Sequence, residues 1–506
     1  MLRGASVHYK SSLQASRAEI TDSKGPHIEP AILNRNPPHW NTPSQKSHLA
    51  GQKKNSVVRS LLFGAMAAAS LLWVAAYNGY PTVYPDTGGY LYTAGFLIAI
   101  PPFRAPGYSI FIRLTGLGAS AWFTVAMQAI FVVIVLYETC KHVIGGDSKF
   151  RDHCLLAIAC VLAAFSSLPW EASELMPDVF AGMVFLSAFL LAFARLGRLE
   201  RIGLAAILTI SVSAHMSLLP IGVLFVVALA VARLAGWQVQ GAAPAKTMLA
   251  WLVAPLIVAG LWTATLNQQT GLGFRLSASA NEFLLARLFD DGLAADYLRA
   301  NCSKEPFLAC RHLANLPTSD AEFLFWSPLR DEMAGHGDEM TKVARGTIAA
   351  HPFMFVMSSV KQTLLQLVSF RTGDEIHASN QNAPNTNGLV IQQVFPRDVP
   401  AFANARQARG RMNMVTKAAV ITDAAVFCLS ALACLFFART RGAKQVNQLF
   451  YWAVVFLVIN AAICGSLSGV NDRYQSRVAW IVPLCLLSYV YSLPENENSR
   501  IREDPS

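Results

Sequence analysis

Long apolar runs alternate with short polar segments along most of this chain. Ten runs, each of about 15 to 20 residues, are long enough or nearly long enough to cross the hydrocarbon core of a bilayer as helices. They cover residues 57–76, 121–137, 154–168, 179–194, 203–219, 221–233, 247–266, 417–438, 448–466 and 477–492. The pattern predicts an all-α polytopic membrane protein with about ten transmembrane helices.

One further run, "HPFMFVMSSVKQTLLQLVSF" at 351–370, is also long enough to span a bilayer. Lys361, Gln362 and Gln366 interrupt it at helical spacing, which gives the helix one polar face. We therefore favour an amphipathic helix over 353–370 that lies in the outer membrane interface. An eleventh span is the alternative.

Basic residues orient the predicted spans. With a cytosolic N-terminal tail, the inner segments are "KHVIGGDSKFRDH", "RLGRLER", "RLAGWQVQGAAPAK" and "RTRGAKQ", each with at least two Lys or Arg. The larger loops, at 77–120, 267–352 and 371–416, then face outward. Because the net charge of +10 is spread over these short segments rather than along one face, it does not indicate a nucleic-acid partner.

The two ends of the chain are polar. Residues 1–56 are rich in Ser, Asn, Pro and His, and we expect a disordered cytosolic tail there. The first apolar run begins only near Val57, so it predicts a membrane anchor rather than a cleaved signal peptide. Residues 57–492 form the predicted transmembrane domain, and 493–506 a second cytosolic tail. Any chemistry is expected at the outer face of the cytoplasmic membrane.

The overall composition agrees, with 53% hydrophobic and 14% charged residues. Of the nine cysteines, Cys302 and Cys310 share a polar outer segment, "NCSKEPFLACRH". An oxidising compartment on that side predicts a disulfide between them.

A single acid, Asp86, lies in the first outer loop within "YPDTGGY". Pro85 restricts the backbone before it, and Gly88 with Gly89 allow a tight turn or the close approach of a ligand. A carboxylate held in this way can act as a general base. The structural alternative is that Asp86 caps a helix that begins near Gly89.

Three arginines are candidates for binding an anion. Arg104 precedes a proline that can open a helix, and it either binds a phosphate or extends toward lipid headgroups. Arg473 and Arg477 lie four positions apart on one helix face, with Tyr474 beside them. Two guanidiniums on one face favour an anion site, unless Asp472 pairs with one of them.

Further polar groups lie near the outer ends of spans. Glu171, Glu174 and Asp178 share a face if the helix continues through them, and they can position an amine, a hydroxyl or a metal. Favourable contact with a helix dipole is the structural alternative. His215 is either a functional group at the end of its span or a hydrogen-bonded link between helices.

Three segments, "YPDTGGYLYTA", "FRAPGYSIFIRL" and "DRYQSRVAWIVPL", resemble the GT-C superfamily of integral-membrane glycosyltransferases. The resemblance is to the bacterial branch related to protein mannosyltransferases and to the aminoarabinose and galacturonic acid transferases of lipid A. It extends in layout over roughly residues 57–492.

This resemblance implies an inverting transfer of a sugar from a polyprenyl-phosphate donor to a lipid, glycan or protein hydroxyl. It assigns the base to Asp86. It implies that the lipid phosphate contacts Arg104, His215, Arg473 and Arg477, and that substrate contacts Tyr90, Glu171, Glu174, Asp178 and Tyr474. Many relatives carry paired acids in the first loop, whereas this chain has "PDT" alone. Glu174 or Asp178 can supply the second acid, and a divalent metal is a possible cofactor.

Two other functions fit parts of the pattern. An O-antigen ligase or polymerase also uses outer arginine and histidine residues, but its essential groups would lie on a late outer loop and Asp86 would be dispensable. A transporter or flippase predicts inverted repeats and charges at the bilayer midplane, whereas the polar groups here gather near one face.

Overall fold

The computed structural model describes residues 43–96, 104–116, 118–237, 244–374, 376, 378, 387–440 and 443–492. Within these ranges the chain is all-helical and has no strand; Thr82 and Glu174 form one isolated parallel bridge. The predicted tail residues 1–42 and 493–506 lie outside the described residues. Residues 43–56 were expected in a disordered tail, but they are part of a helix.

The first half of the chain contains eleven described α-helices. In chain order they are α1 (Pro43–Leu71), α2 (Trp73–Asn78), α3 (Thr87–Phe96), α4 (Pro106–Thr115), α5 (Ala121–Thr139), α6 (Ser148–Phe165), α7 (Leu168–Ser173), α8 (Phe180–Phe193), α9 (Arg198–Ala214), α10 (Leu218–Leu234) and α11 (Ala245–Gln269). A π-helical turn, Cys140–Ile144, extends α5. Ser120 and Asp147 accept backbone hydrogen bonds at the starts of α5 and α6, and Pro106 opens α4.

The second half has eleven more described α-helices. They are α12 (Ala280–Asp290), α13 (Leu293–Asn301), α14 (Pro328–Met333), α15 (Gly337–Ala350), α16 (Pro352–Val368), α17 (Asn387–Val394), α18 (Val399–Asn404), α19 (Asn413–Thr440), α20 (Lys444–Leu467), α21 (Asp472–Ala479) and α22 (Ile481–Tyr491). Within its described residues, the predicted outer loop 371–416 thus contains two complete α-helices, α17 and α18. Of these, α17 packs against α3.

Four of the described helices are long and apolar enough to cross a membrane. They are Ala121–Ile144, Lys246–Gln269, Asn413–Thr440 and Lys444–Leu467. Three shorter apolar helices cover Asn55–Leu71, Phe180–Phe193 and Leu218–Leu234. All ten predicted runs coincide largely with helices. The structure therefore indicates a helical membrane protein, with at least four described helices that are long and apolar enough to cross a bilayer.

Helix α8 lies at the centre of the main core. Every one of its residues is buried, because α5, α9, α10, α11 and α20 all pack around it. The ring of Phe185 lies 5.6 Å from that of Phe225 and 5.3 Å from that of Phe456. Such aromatic pairs add about 0.5–1.5 kcal/mol each beyond their buried area.

A second hydrophobic core belongs to the segment 280–350. Residues including Leu285, Phe289, Phe323 and Met340 are buried there, and a disulfide joins Cys302 to Cys310. Arg287 fastens this segment to the main core, because its Nε donates to the Gly465 carbonyl at 3.1 Å. The predicted outer loop 267–352 is thus a small helical subdomain.

Helix α16 packs against α20, and its polar positions differ from expectation. Gln366 was expected on a solvated polar face, but it is buried; its side chain donates to the Asn471 carbonyl at 2.8 Å and accepts from the Asn471 N–H at 2.9 Å. The exposed face is largely apolar and includes Phe353, Met357 and Leu364. The amide interrupts the apolar run because it pairs with backbone, not because it contacts water.

Candidate functional site

The loop that carries Asp86 is held on several sides. The Gln407 side chain both donates to and accepts from the backbone of Val83, at 2.7 and 3.1 Å. Thr82 pairs through its backbone with Ser173 and Leu175 at 3.0 and 2.9 Å. The sequence suggested a rigid loop, and these contacts with distant segments explain how the loop is fixed.

Asp86 directly precedes α3, but its carboxylate does not cap that helix. The Asp86 carbonyl accepts from the Gly89 N–H at 3.1 Å, whereas the carboxylate pairs with the guanidiniums of Arg104 and, at 3.2 Å, Arg473. The Asp86 side chain is 26% exposed. The alternative of a helix cap is therefore wrong, and the carboxylate belongs to an ion-pair network.

The sequence suggested that Gly88 and Gly89 let a ligand approach the backbone closely. In the structure, other side chains of the protein occupy that space. The Gly88 N–H donates to the Asn387 Oδ1 at 2.5 Å, and a Cβ at Gly88 would lie 2.8 Å from the same oxygen. A Cβ at Gly89 would lie 3.2 Å from Cγ of Arg104. These glycines thus let Asn387 and Arg104 pack against the start of α3.

The short helix α21 directs Arg473 and Arg477 to the same acid. Asn471 caps this helix by accepting from the Arg473 N–H at 3.0 Å. Arg473 Nε and Arg477 Nη1 each lie 3.4 Å from Oδ1 of Asp178. Asp472 does not pair with either arginine as the alternative required; it accepts from Arg371 Nε at 2.5 Å.

Arg477 is the innermost member of the network, with a fully buried side chain. Its Nη2 donates to the Ser217 hydroxyl at 3.0 Å and to Oδ1 of Asn460 at 2.9 Å. Asp178, which it faces, is 1% exposed. We assign Arg477 and Asp178 a supporting role beneath the more exposed groups rather than direct contact with a ligand.

Arg473 connects the buried and exposed parts of the network. Its guanidinium lies 4.4 Å from the ring centroid of Tyr84 and 5.3 Å from that of Tyr474. Its Nη2 is 3.5 Å from Nε2 of His215, which follows the end of α9. Nδ1 of His215 accepts from the Ser217 N–H at 3.2 Å, so a neutral ring carries its proton on Nε2, and the contact with Arg473 is a close approach rather than a hydrogen bond. His215 thus lies against the arginines, as predicted.

The helical continuation that would place Glu171, Glu174 and Asp178 on one face does not form. Helix α7 ends at Ser173, because the backbone of the next residues pairs with Thr82. Glu171 and Glu174 are buried and line a cavity of about 10 Å³ together with Tyr84, Trp170, Gly373, Asp374, Ile376, Arg473 and Ser476. A cavity of that size holds about one water molecule.

Burial favours the neutral form of these two glutamates. Burial, together with the charge of Asp178, raises the pKa of the Glu171 carboxyl to about 8, although the Ser476 hydroxyl donates to it at 2.6 Å. Burial, with the charges of Glu171 and Asp178, raises the pKa of Glu174 well above its ordinary value. Both pKa shifts disfavour the second ionised acid that the sequence suggested at Glu174.

The two predicted tyrosines differ in access. Tyr90 was expected to contact substrate, but it is buried; its ring packs edge-on against Tyr108 at 5.2 Å, with the Arg104 guanidinium 5.8 Å from its centroid. Tyr90 therefore supports Arg104. Tyr474 is half-buried beside Arg473 and Arg477.

The network as a whole can receive an anion. Three guanidiniums face two aspartates, Asp86 and Asp178, with Asp374 a further acid beside the adjoining cavity. Asp86 and Arg104 are 26% and 20% exposed, whereas Arg473 is 7% exposed. A ligand would therefore reach Asp86 and Arg104 first, with Arg473 behind them.

The residues around Asp86 do not suit a metal ion. Guanidiniums occupy the carboxylates of Asp86 and Asp178, and burial favours the protonated form of the neighbouring glutamates. Among the described residues, a group of three possible metal ligands does occur, but it consists of Glu138, His142 and Glu200. Glu200 lies in the first turn of α9, whereas His215 follows the other end of that helix.

Sequence reasoning missed several residues of the site. Asn387 ties α17 to the first loop, since it also donates to the Tyr84 carbonyl at 2.8 Å. Ser217, directly before α10, and Asn460 in α20 hold Arg477 from two other parts of the chain. Asn460 could have been identified from the sequence, because an amide in the middle of an apolar span needs a buried hydrogen-bond partner. Asn387 and Ser217 lie in polar segments where such residues are common.

No family model, no curated protein and no solved structure matches this chain. The resemblance to the GT-C superfamily therefore stays a prediction. Function has to be inferred from the chemistry of the Asp86 network.

Proposed function

We propose that this chain is an integral-membrane glycosyltransferase of the GT-C type. It transfers a sugar from a polyprenyl-phosphate donor to a hydroxyl of a lipid, glycan or protein at the outer face of the cytoplasmic membrane. One observation carries the proposal: the partly exposed Asp86 carboxylate contacts both Arg104 and Arg473, although Arg473 lies 387 positions after Asp86 in the sequence. A base beside an anion site is the pairing that transfer from a lipid phosphate requires.

In the proposed step, the acceptor oxygen attacks the anomeric carbon while the bond from that carbon to the phosphate oxygen breaks. Asp86 takes the proton of the acceptor hydroxyl. Arg104 and Arg473 bind the departing lipid phosphate, with His215 and Arg477 behind them. A phosphate leaves without protonation at neutral pH, so the step needs no second acid.

The ion pairs around Asp86 bear on its access to an acceptor hydroxyl. Two guanidiniums occupy the carboxylate oxygens, Arg104 at Oδ1 and Arg473 at Oδ2. A donor phosphate competes for the same guanidiniums, and binding it draws them from Asp86. The carboxylate is then free to accept the acceptor proton only when the donor is bound, which limits proton transfer in the absence of substrate.

The membrane arrangement is part of the proposal. We propose that about ten helices cross the bilayer, including shorter ones such as α8 and α10, and that both termini are cytosolic. Support comes from the ten apolar runs and from the basic segments between them. The Asp86 network then faces outward, where sugars are supplied on lipid carriers.

The test compares cells that lack the gene with cells complemented by wild type or by Asp86→Asn. Envelope lipids and glycans are analysed by mass spectrometry, so neither the sugar nor the acceptor need be known. We expect one glycan mass increment to disappear in the deletion, return with wild type, and stay absent with the variant. Asp296→Asn is the control, because Asp296 is exposed and pairs with Arg299.

Equal rescue by Asp86→Asn, at equal protein level in the membrane, would remove Asp86 as the base. That result would favour the O-antigen ligase or polymerase alternative, in which Asp86 is dispensable. An unchanged envelope in the deletion strain, with altered uptake or lipid distribution, would favour a transporter or flippase.

A further inference from the structure

A second cluster of ionisable side chains lies where α5 meets α9. The sequence "YETCKHVIGG" places Glu138 and His142 four positions apart. There α5 changes into the π-helical turn Cys140–Ile144, closed by a hydrogen bond from the Gly145 N–H to the Cys140 carbonyl at 2.9 Å. Single π turns in α-helices often occur at functional sites. Glu200 reaches the same point from the first turn of α9.

We propose that Glu138, His142 and Glu200 bind a divalent transition-metal ion, for which Zn²⁺ is the probe. Nε2 of His142 lies 3.2 Å from Oε2 of Glu138 and 3.4 Å from Oε2 of Glu200. Around a tetrahedral ion with bonds of about 2.0–2.2 Å, neighbouring ligand atoms are about 3.3–3.6 Å apart. Both carboxylates already lie at about this spacing from the imidazole, and the three ligand atoms all lie within 4.8 Å of one another.

Hydrogen bonding within the protein does not account for this arrangement. Nε2 of His142 and Oε2 of Glu138 are buried from solvent, yet neither makes a hydrogen bond to any described residue, although they are 3.2 Å apart. Buried polar atoms without a partner are costly. An ion bound by both atoms would remove that cost.

The third proposed ligand, Glu200, is oriented by two neighbouring groups of the protein. Oε2 of Glu200 accepts from the Gly197 N–H at 2.9 Å, and Oε1 pairs with the Lys141 ammonium. Metal-binding carboxylates are commonly oriented by such outer contacts. Lys141 also balances charge: with a neutral imidazole the two carboxylates and the ammonium sum to one negative charge, which favours a cation.

The ligand types indicate the class of ion. One imidazole with two carboxylates suits Zn²⁺, Mn²⁺ or Fe²⁺, whereas Ca²⁺ and Mg²⁺ prefer oxygen ligands throughout. Three protein ligands leave a fourth position for water. The bound ion would join the end of α5 to the start of α9, the helix whose other end precedes His215. The site is separate from the Asp86 network and does not depend on the proposed glycosyl transfer.

The test uses full-length protein, without a polyhistidine tag, purified in detergent. Metal content is measured by plasma mass spectrometry, and Zn²⁺ is then titrated into chelator-treated protein while Tm is recorded. We expect about one Zn²⁺ per chain, a lower Tm after chelation, and its recovery when Zn²⁺ is added back. Glu138→Gln and His142→Asn should each weaken Zn²⁺ binding by at least about tenfold.

His312→Asn is the matched control, because Nε2 of His312 lies 3.2 Å from Oε1 of Glu332, the same kind of pair outside the Glu138 cluster. It should leave both metal content and the chelator effect unchanged. The proposal is overturned if wild type binds no Zn²⁺, if chelation leaves its Tm unchanged, or if His312→Asn loses as much metal as His142→Asn. A protonated His142 bridging two carboxylates would then explain the cluster. Chelation of the wild-type protein tests metal binding even if the variants fail to fold.

Discussion

At the scale of single residues, the site is a chain of charges that runs from exposed to buried. Asp86 and Arg104 lie at the exposed end, Arg473 connects them to Asp178, and Arg477 is completely enclosed. Sequence patterns identified each of these residue types as a candidate. They could not show the pairing, because Asp86 and Arg473 are 387 positions apart.

Asp178→Asn tests the buried end of the chain. The substitution leaves Arg473 and Arg477 facing each other without the carboxylate that separates their charges. Removing one partner of a buried ion pair costs about 3 to 5 kcal/mol, so we expect a lower Tm and less protein in the membrane. Asp296→Asn, at an exposed pair, should change Tm little; equal effects of the two variants would contradict the assigned burial.

Glu171→Gln tests the neutral glutamates through pH. Glu171 titrates near its ordinary value of 4.5 when unfolded and near 8 when folded, so between those values the folded protein holds the extra proton. The free energy of unfolding should therefore fall as pH rises from about 5 to 8. The variant should lessen this decline in Tm, with Glu174 still contributing in the same direction.

The exposed Glu305→Gln should leave the decline as in wild type. A pH profile of Glu171→Gln indistinguishable from wild type would mean that Glu171 is ionised in the folded protein.

At the scale of elements, the close contact of α4 with α9 positions the groups around His215. A Cβ at Gly107 would lie 2.2 Å from the Ser213 carbonyl oxygen, so only glycine fits where α4 meets the end of α9. The start of α4 also follows Arg104 directly. One packing contact thus sets the separation of two predicted phosphate-binding residues.

Gly107→Ala should push α4 away from α9. Overpacking of this kind costs about 1 to 3 kcal/mol, and we expect sugar transfer to fall further than the loss of folded protein explains. Gly203 lies in α9 and has open space around it, so Gly203→Ala should instead raise the free energy of unfolding by about 1 kcal/mol. Both are measured as Tm and as transfer per folded protein; a harmless Gly107→Ala would contradict the contact.

Counting free cysteines tests the disulfide of the 280–350 subdomain directly. Seven cysteines are free and two are bonded, so alkylation of the unfolded protein should add seven labels without reductant and nine with it. Intact mass measures both numbers. Nine labels without reductant would contradict the disulfide, and with it the main reason for an oxidising location of this subdomain.

The limits of sequence prediction are visible in the same elements. Apolar runs located the helices well, because burial in lipid or protein core requires continuous apolar sequence. The apolar runs left 169–178 between two predicted spans, but they could not show the bridge from Glu174 to Thr82, because these residues are 92 positions apart. Gln366 was placed on the wrong face for the same reason: its partner, the Asn471 backbone, lies in another element.

At the scale of the whole molecule, the long apolar helices and the enclosed α8 form a largely apolar helical core, to which a disulfide-linked subdomain is attached. Two ionisable clusters lie near opposite ends of α9. If positive charge orients the chain as proposed, the Asp86 network faces outward and the Glu138 cluster inward.

Binding of polyprenyl phosphate to purified protein tests the central claim most directly, because it needs no knowledge of the sugar or acceptor. Wild type should bind polyprenyl phosphate and not polyprenol. Arg473→Gln should bind it about tenfold to a hundredfold more weakly, since hydrogen bonds to a charged group are worth about 1.5 to 3 kcal/mol. Arg299→Gln, at an exposed pair, should bind as wild type does. Equal binding by wild type and Arg473→Gln, or equal binding of the phosphate and the alcohol, would contradict the account.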